Sequence, residues 1–343
     1  MSFATIAYRY VLTYFLSLLY TALALIGLSF NYVKKVITDP GYKNLKLLRP
    51  NCLVDPKYGV HKYIKVNNVK LHYVESGDPS KPLMLFLHGF PEFWYSWRHQ
   101  ILEFQKDYWC IAVDMRGYGD SERPEAVSAY KIDVLVEDVR DLVRQLGREN
   151  FILVAHDWGG VIACKFREVY PKLLSAVIVI ASMSLESFIY SIFNDSKQRK
   201  LSWYVFFFQM PAIPEQFLEM NHLQVFDKMM MVPGKDTVSA EDLEAYKYWF
   251  GKQFAFTPPI NYYRANFRFD VLDPQKRFTD KVPMLVVRAA DDIAIGPQPM
   301  EYMKQVYEHL DTLVVQGCGH FMQQEEPAEV NNIIREFLAK QKP

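Results

Sequence analysis

The sequence is poor in the features that would place it in several large functional classes. Its four cysteines, Cys52, Cys110, Cys164 and Cys318, lie far apart and form no CxxC pair. Neither a zinc motif nor a redox pair is therefore written into it, and isolated thiols of this kind read as buried and reduced. Net charge is also missing, because 39 basic residues balance 39 acidic ones. That removes the electrostatic footprint of a nucleic-acid or polyanion binder. There is no internal repeat and no low-complexity tract. The glycine turn of Asp114–Pro124, DMRGYGDSERP, is not GxGxxG and carries little weight as a nucleotide site.

One stretch lacks charge altogether. From Tyr10 to Tyr32 there is no Asp, Glu, Lys or Arg, and about 20 apolar residues suffice to span a bilayer. No A-x-A-like cleavage site closes the run, which argues for a retained anchor rather than a signal peptide. Residues 1–35 therefore read as an N-terminal, single-pass membrane helix. Arg9 precedes it, while Lys34, Lys35, Lys43, Lys46 and Arg49 follow. That basic bias puts the remaining chain in the cytoplasm, with the endoplasmic reticulum as the expected membrane. Asn194-Asp195-Ser196 is a glycosylation sequon that would matter only in a lumen.

What the rest contains is alternation. Residues 36–60, with Pro40, Pro50 and Pro56, read as a linker. Apolar runs at 70–75, 83–89, 109–114, 151–156, 174–182, 284–290 and 311–317 are predicted strands, several apolar throughout, as strands covered on both faces are. Residues 130–146 repeat apolar side chains at helical spacing. A further helix follows Asp157 and stops before Pro171, and a last one lies near 327–340. Alternating strands and helices predict a mostly parallel central sheet with helices on both faces. The alternation breaks over 184–278, which is dense in Phe, Tyr, Trp and Met. This insertion is predicted to be a helical lid over the carboxyl edge of the sheet, where open α/β folds bind ligands; the core is then 61–183 and 279–343. Most of the insertion's aromatics are best assigned to its own core.

The central motif is LVAHDWGG, residues 153–160. It has the frame of a nucleophile elbow, with a strand, a small-residue turn and a helix, but Asp157 stands where serine is usual. A capping aspartate would look similar. The partners decide between the two: Asp292 follows the strand at 284–290, and His320 follows the last strand. Nucleophile, acid, histidine is the chain order of the α/β-hydrolase fold. Asp291 competes with Asp292, which is preferred from its spacing beyond the strand. His88 and His156 do not follow the last strand and read as structural. The loop HGFPEFWYSW, 88–97, occupies the place that donates one oxyanion N–H in this fold, and the residue after the nucleophile donates the other. Those are Phe90 and Trp158. Phe90-Pro91 is an X-Pro bond that could be cis.

These residues carry a resemblance. From about 60 to 341 the chain resembles the epoxide hydrolases of the α/β-hydrolase superfamily, and with its anchor it looks most like the membrane-anchored, epoxide hydrolase 4-like members. The resemblance implies two lid tyrosines that protonate the epoxide oxygen. WYVFFFQ matches the first motif and points to Tyr204; NYYRAN matches the second and points to Tyr263, with Tyr262 as its neighbour and competitor. Met210 departs from the usual FQEP pattern. The implied reaction converts a lipophilic epoxide, such as a lipid epoxide, to a vicinal diol, as in lipid metabolism or detoxification, with no cofactor and no metal. Ionised at neutral pH, Asp157 can open the ring at carbon; His320, oriented by Asp292, can then hydrolyse the ester. A haloalkane dehalogenase would use the same Asp/His/Asp set but needs no phenol pair. An inactive, membrane-tethered binding module would need none of the set, and a serine esterase would need a serine at the elbow.

Overall fold

The structure is a computed structural model that describes residues 3–38, 48–230, 238–267 and 277–341. The chain opens with a long helix, α1 (Phe3–Thr38), and a hairpin, β1 (Val60–Val66) and β2 (Val69–Ser76). Alternation follows: β3 (Leu83–Leu87), α2 (Arg98–Phe104), β4 (Trp109–Val113), α3 (Ile132–Gln145), β5 (Phe151–His156), α4 (Trp158–Val169) and β6 (Leu174–Ile180). The described helices before the next strand are α5 (Leu185–Asn194), α6 (Ser196–Leu201), α7 (Trp203–Phe207), α8 (Ile213–Met230), α9 (Ala240–Phe250) and α10 (Thr257–Asn266). Then come β7 (Met284–Ala289), α11 (Gln298–Val306), β8 (Asp311–Val315), α12 (Met322–Glu325) and α13 (Pro327–Lys340).

The strands form one sheet in the order β1-β2-β4-β3-β5-β6-β7-β8. From β4 to β8 every pairing is parallel, and only β2, paired antiparallel with both β1 and β4, runs against the rest. Every residue of β3, β4 and β5 is buried, which explains why these runs are apolar without alternation: helices cover both faces. β1, by contrast, is a half-exposed edge strand. It escaped the strand reading because its apolar residues are interrupted by His61, Lys62 and Lys65. Its turn, Asn67-Asn68, places both residues at positive φ, 44° and 64°, as a two-residue hairpin requires.

α3 buries Leu135, Val136, Val139, Leu142 and Val143, the stripe that its spacing predicts. α1 extends three residues beyond the expected anchor, to Thr38. Lys43 and Lys46 of the predicted linker lie outside the described residues, as do parts of the predicted lid, 231–237 and 268–276. Because the sheet is parallel from β4 to β8, the loops after β3, β5, β7 and β8 leave from one edge, and α7 and α10 reach over that edge.

Candidate active site

Three loops and two helices from distant parts of the sequence meet at Asp157. Its backbone sits at φ 46° and ψ −118°, a strained conformation for a residue with a Cβ. Crowding holds the turn in place. A Cβ on Gly159 would lie 2.3 Å from the Leu87 carbonyl oxygen, and one on Gly89 would lie 2.3 Å from the Asp157 Cβ. Glycine is therefore the residue that lets β3 and the helix start at Trp158 approach so closely.

The Asp157 carboxylate is held at both oxygens. Oδ1 accepts from the Phe90 amide at 2.7 Å, and Oδ2 lies 3.7 Å from His320 Nε2. His320 Nδ1 in turn stands 3.0 Å from each oxygen of Asp292. Asp292 is itself fixed, since its Oδ1 accepts from the amides of Ala294 and Ile295. Asp291 is exposed, with its side chain outside this arrangement. Trp158 is the first residue of α4, so its N–H has no acceptor within the helix. The Phe90–Pro91 peptide is cis.

Electrostatics follow from this geometry. Burial alone would raise the Asp157 pKa. The hydrogen bond and charge of His320, the charge of His156 and the Phe90 amide outweigh it and hold the carboxyl below its ordinary range. Burial would likewise depress His320, but the charge of Asp292 and the bonds to Asp157 and Asp292 raise it well above the usual imidazole value. The two side chains lie within ion-pairing distance, 3.7 Å apart.

Tyr204 from α7 and Tyr263 from α10 close the site from above. Their rings stand 5.8 Å apart and nearly perpendicular, and Tyr263 packs edge-on against Trp158 at 5.0 Å. Burial raises both phenols far above the ordinary tyrosine value. The Asp157 charge adds to each, so both are protonated at neutral pH. Tyr262 faces elsewhere: its hydroxyl donates to the Arg116 carbonyl at 2.7 Å. Phe90 and Phe208 line the same space, each in edge contact with Tyr263. Met210, the departure from the usual motif, carries its carbonyl to Arg264 at 2.5 Å.

Sequence reading missed the support beneath this layer. Glu92 is fully buried, yet four donors reach it. Its Oε2 accepts from the Gly89 amide at 2.9 Å and faces His156 Nδ1 at 2.7 Å. Its Oε1 accepts from Gln323 and Gln324, each at 2.9 Å. The far nitrogen of His156 meets the His320 carbonyl at 2.9 Å. One buried carboxylate thus ties the loop after β3, the residue before the elbow and the loop carrying His320. Gln198 of α6 does the same for the Asp292 loop, donating to the Ala294 carbonyl and accepting from the Gly296 amide. Only His156, adjacent to Asp157, could have been suspected from sequence. His88 is structural: its Nε2 accepts from the Met115 amide, and burial lowers its pKa.

Among the described residues there is no cluster of His, Cys, Asp and Glu suited to a metal ion. The four cysteines are buried and unbridged.

Comparison with known proteins places this architecture. The α/β-hydrolase-fold family profile matches residues 82–327. Epoxide hydrolase 1 of Caenorhabditis elegans is 38% identical over 294 residues, 81% of this chain and 70% of that protein. Epoxide hydrolase 4 of Homo sapiens is 35% identical over 301 residues, 85% of this chain and 82% of that protein. A crystal structure of an epoxide hydrolase from Bacillus megaterium with an inhibitor superimposes with a TM-score of 0.73 at 32% identity. It covers 81% of this chain and 100% of its own.

Proposed function

The chain belongs to the epoxide hydrolases of the α/β-hydrolase family, and from that premise we propose that it opens lipophilic epoxides through an ester on Asp157. One observation carries this reading: the elbow carboxylate of Asp157 shares one buried site with the phenols of Tyr204 and Tyr263 on one side and the Asp292-paired imidazole of His320 on the other.

In the first step an Asp157 oxygen attacks a ring carbon. The carbon–oxygen bond of the epoxide breaks, and the departing oxygen takes a proton from Tyr204 or Tyr263. Alkoxide departure into neutral water is difficult, and a positioned phenol removes that barrier. In the second step water attacks the Asp157 carbonyl carbon while His320 takes its proton. The oxyanion forms on the oxygen held by the Phe90 amide, with the Trp158 amide as second donor. Before that attack the imidazolium gives its proton to the tyrosinate left by ring opening, which restores the phenol and frees His320 as a base. Collapse then passes the proton that His320 took from water to the leaving diol oxygen, and the Asp157 acid so formed protonates His320 and is restored as the carboxylate.

The two steps are electrostatically linked. Esterification of Asp157 removes one of the two negative charges that raise the His320 pKa. The imidazole then loses its proton more readily, at the moment a base is needed.

The apolar surroundings of the phenols, Phe90 and Phe208, favour a lipid-like epoxide over a polar one. A halide-releasing reaction would leave the phenol pair without a task. α1 supplies a segment, Ala4–Ile26, long and apolar enough to enter a membrane. Its basic flank supports anchorage to the endoplasmic reticulum with the hydrolase domain on the cytoplasmic side; a glycan on Asn194 in cells would refute that side.

Single-turnover hydrolysis of a long-chain epoxide in oxygen-18 water tests the chemistry. The expected result is unlabelled diol and label in Asp157. Label entering the diol directly would overturn the ester mechanism.

A further inference from the structure

α1 is not free of the domain. One stripe of it, Arg9, Thr13, Ser17, Thr21 and Ala24, is buried, and the helix packs against α7 and α8. The Arg9 guanidinium lies 4.9 Å from the centre of the Phe193 ring on α5. The Tyr20 ring lies 6.1 Å from Trp203 and 6.4 Å from Phe206, both on α7. The most buried stripe carries the small or polar Thr13, Ser17, Thr21 and Ala24, the kind that lets two helices approach closely, and the partly buried Leu12, Leu16 and Tyr20 pack beside it. The opposite surface is apolar and exposed: Val11, Tyr14, Phe15, Leu18, Leu23 and Ile26.

This arrangement is incompatible with a simple crossing. Residues 9–24 extend about 22 Å at a rise of 1.5 Å per residue, and that length lies along the domain. If the helix stood across the bilayer, the helices it rests on would enter the hydrocarbon with it. α6, which lies in sequence between the Phe193 and Trp203 contacts, carries the exposed cations Lys197 and Lys200. Charged side chains in the bilayer centre are costly. At a membrane surface the same lysines are attracted to anionic headgroups. The rest of the segment agrees: residues 1–38 contain no Asp or Glu, and their cations besides the buried Arg9 are Lys34 and Lys35.

We propose that α1 is an in-plane anchor: it stays docked on the helices that carry Tyr204, and the leaflet of an anionic membrane covers its outer face. The single-pass crossing expected from composition then gives way to a helix lying in the interface. An amphipathic helix with an apolar face and basic flanks binds in this way. The consequence concerns substrate. Trp203, which receives Tyr20, is the chain neighbour of Tyr204, and their rings lie 6.4 Å apart. Membrane and catalytic phenol are thus separated by one layer of aromatic rings, so an epoxide dissolved in the leaflet is presented beside the site.

The full-length protein in vesicles of phosphatidylcholine and phosphatidylserine tests this without reference to activity. Trp203 is 38% exposed, whereas the other five tryptophans are each at most 6% exposed. Lipids brominated near the headgroup should therefore quench the fluorescence of Trp203, and Trp203→Phe should abolish most of that quenching. Quenching that survives the substitution, or none in vesicle-bound protein, would overturn the proposal. In intact microsomes an N-terminal tag and the hydrolase domain should share the same protease sensitivity; opposite sensitivities would establish a crossing. Phe15→Glu with Leu18→Glu should weaken vesicle binding by about tenfold or more while leaving hydrolysis of a water-soluble epoxide unchanged. Unaltered binding would overturn the assignment of that face to lipid.

Discussion

At the scale of single residues, the adjacent tyrosines separate structure from chemistry. The Tyr262 hydroxyl is committed to the Arg116 carbonyl, whereas Tyr263 faces Asp157. Tyr262→Phe should cost about 1 kcal/mol of stability and leave turnover nearly intact. Tyr263→Phe should leave the melting temperature close to that of the wild type and slow alkylation. Thermal melts and rapid-quench alkylation rates check the pair. The two half-reactions divide likewise. His320→Gln should still be alkylated and then stall, visible as an adduct of substrate mass. Tyr204→Phe with Tyr263→Phe should alkylate about 10²–10⁴-fold more slowly and accumulate nothing. Intact-mass spectra of the His320 variant free of adduct under excess epoxide would contradict this division. The pH profiles should differ as well. In the proposed mechanism alkylation needs ionised Asp157, whose pKa is held low, so its rate should persist to pH values below the ordinary carboxylate range, about 4. Hydrolysis of the ester, in the same mechanism, needs neutral His320. Its rate should fall with acidification at a higher pH than alkylation does, though below the pKa that His320 shows in the free enzyme. Stopped-flow measurement of each phase separates the two limbs.

At the scale of elements, the elbow depends on how closely β3 and α4 approach. Gly159→Ala would put a methyl carbon against the Leu87 and His88 carbonyl oxygens, at 2.3 and 2.7 Å. These are backbone atoms at the end of a central strand, and they cannot yield without moving β3. Overpacking of this kind costs about 1–3 kcal/mol. A lowered melting temperature together with slowed ester hydrolysis is expected, because α4 carries the Trp158 amide. A melting temperature equal to wild type would show that the approach is looser than the structure indicates.

At the scale of the whole molecule, the buried charges shape stability against pH. Glu92, Asp114 and Asp157 have folded pKa values below their ordinary ones: burial opposes this, and their histidine partners and amide donors outweigh it. A depressed carboxyl contributes stability above its unfolded pKa, and that stability is lost as pH falls through the folded value. His320 runs the other way. Its raised pKa contributes stability below the unfolded value, about 6.5, which is lost as pH rises through the folded one. Melting temperature should therefore pass through a maximum and decline on both sides. His320→Gln should flatten the alkaline limb while leaving most of the acid limb, as calorimetry across the range would show.

The sequence by itself determined the alternation of strands and helices, the chain order Asp157, Asp292, His320 and the apolar character of α1. These are local properties: periodicity, turn residues and run length are legible one segment at a time. Tertiary structure alone decided the rest. β1 is an edge strand whose polar residues meet solvent, so its pattern carries no burial signal. Tyr262 and Tyr263 are chemically identical neighbours, and only the rotation of α10 against the core sends one to Arg116 and the other to Asp157. Glu92 and Gln198 are polar residues in unremarkable contexts. Their importance arises where segments more than ninety residues apart converge on one buried atom, a long-range coincidence that no local window records. The same holds for α1: its apolar composition fits any membrane helix, but its packing along α7 depends on which of its faces the domain covers.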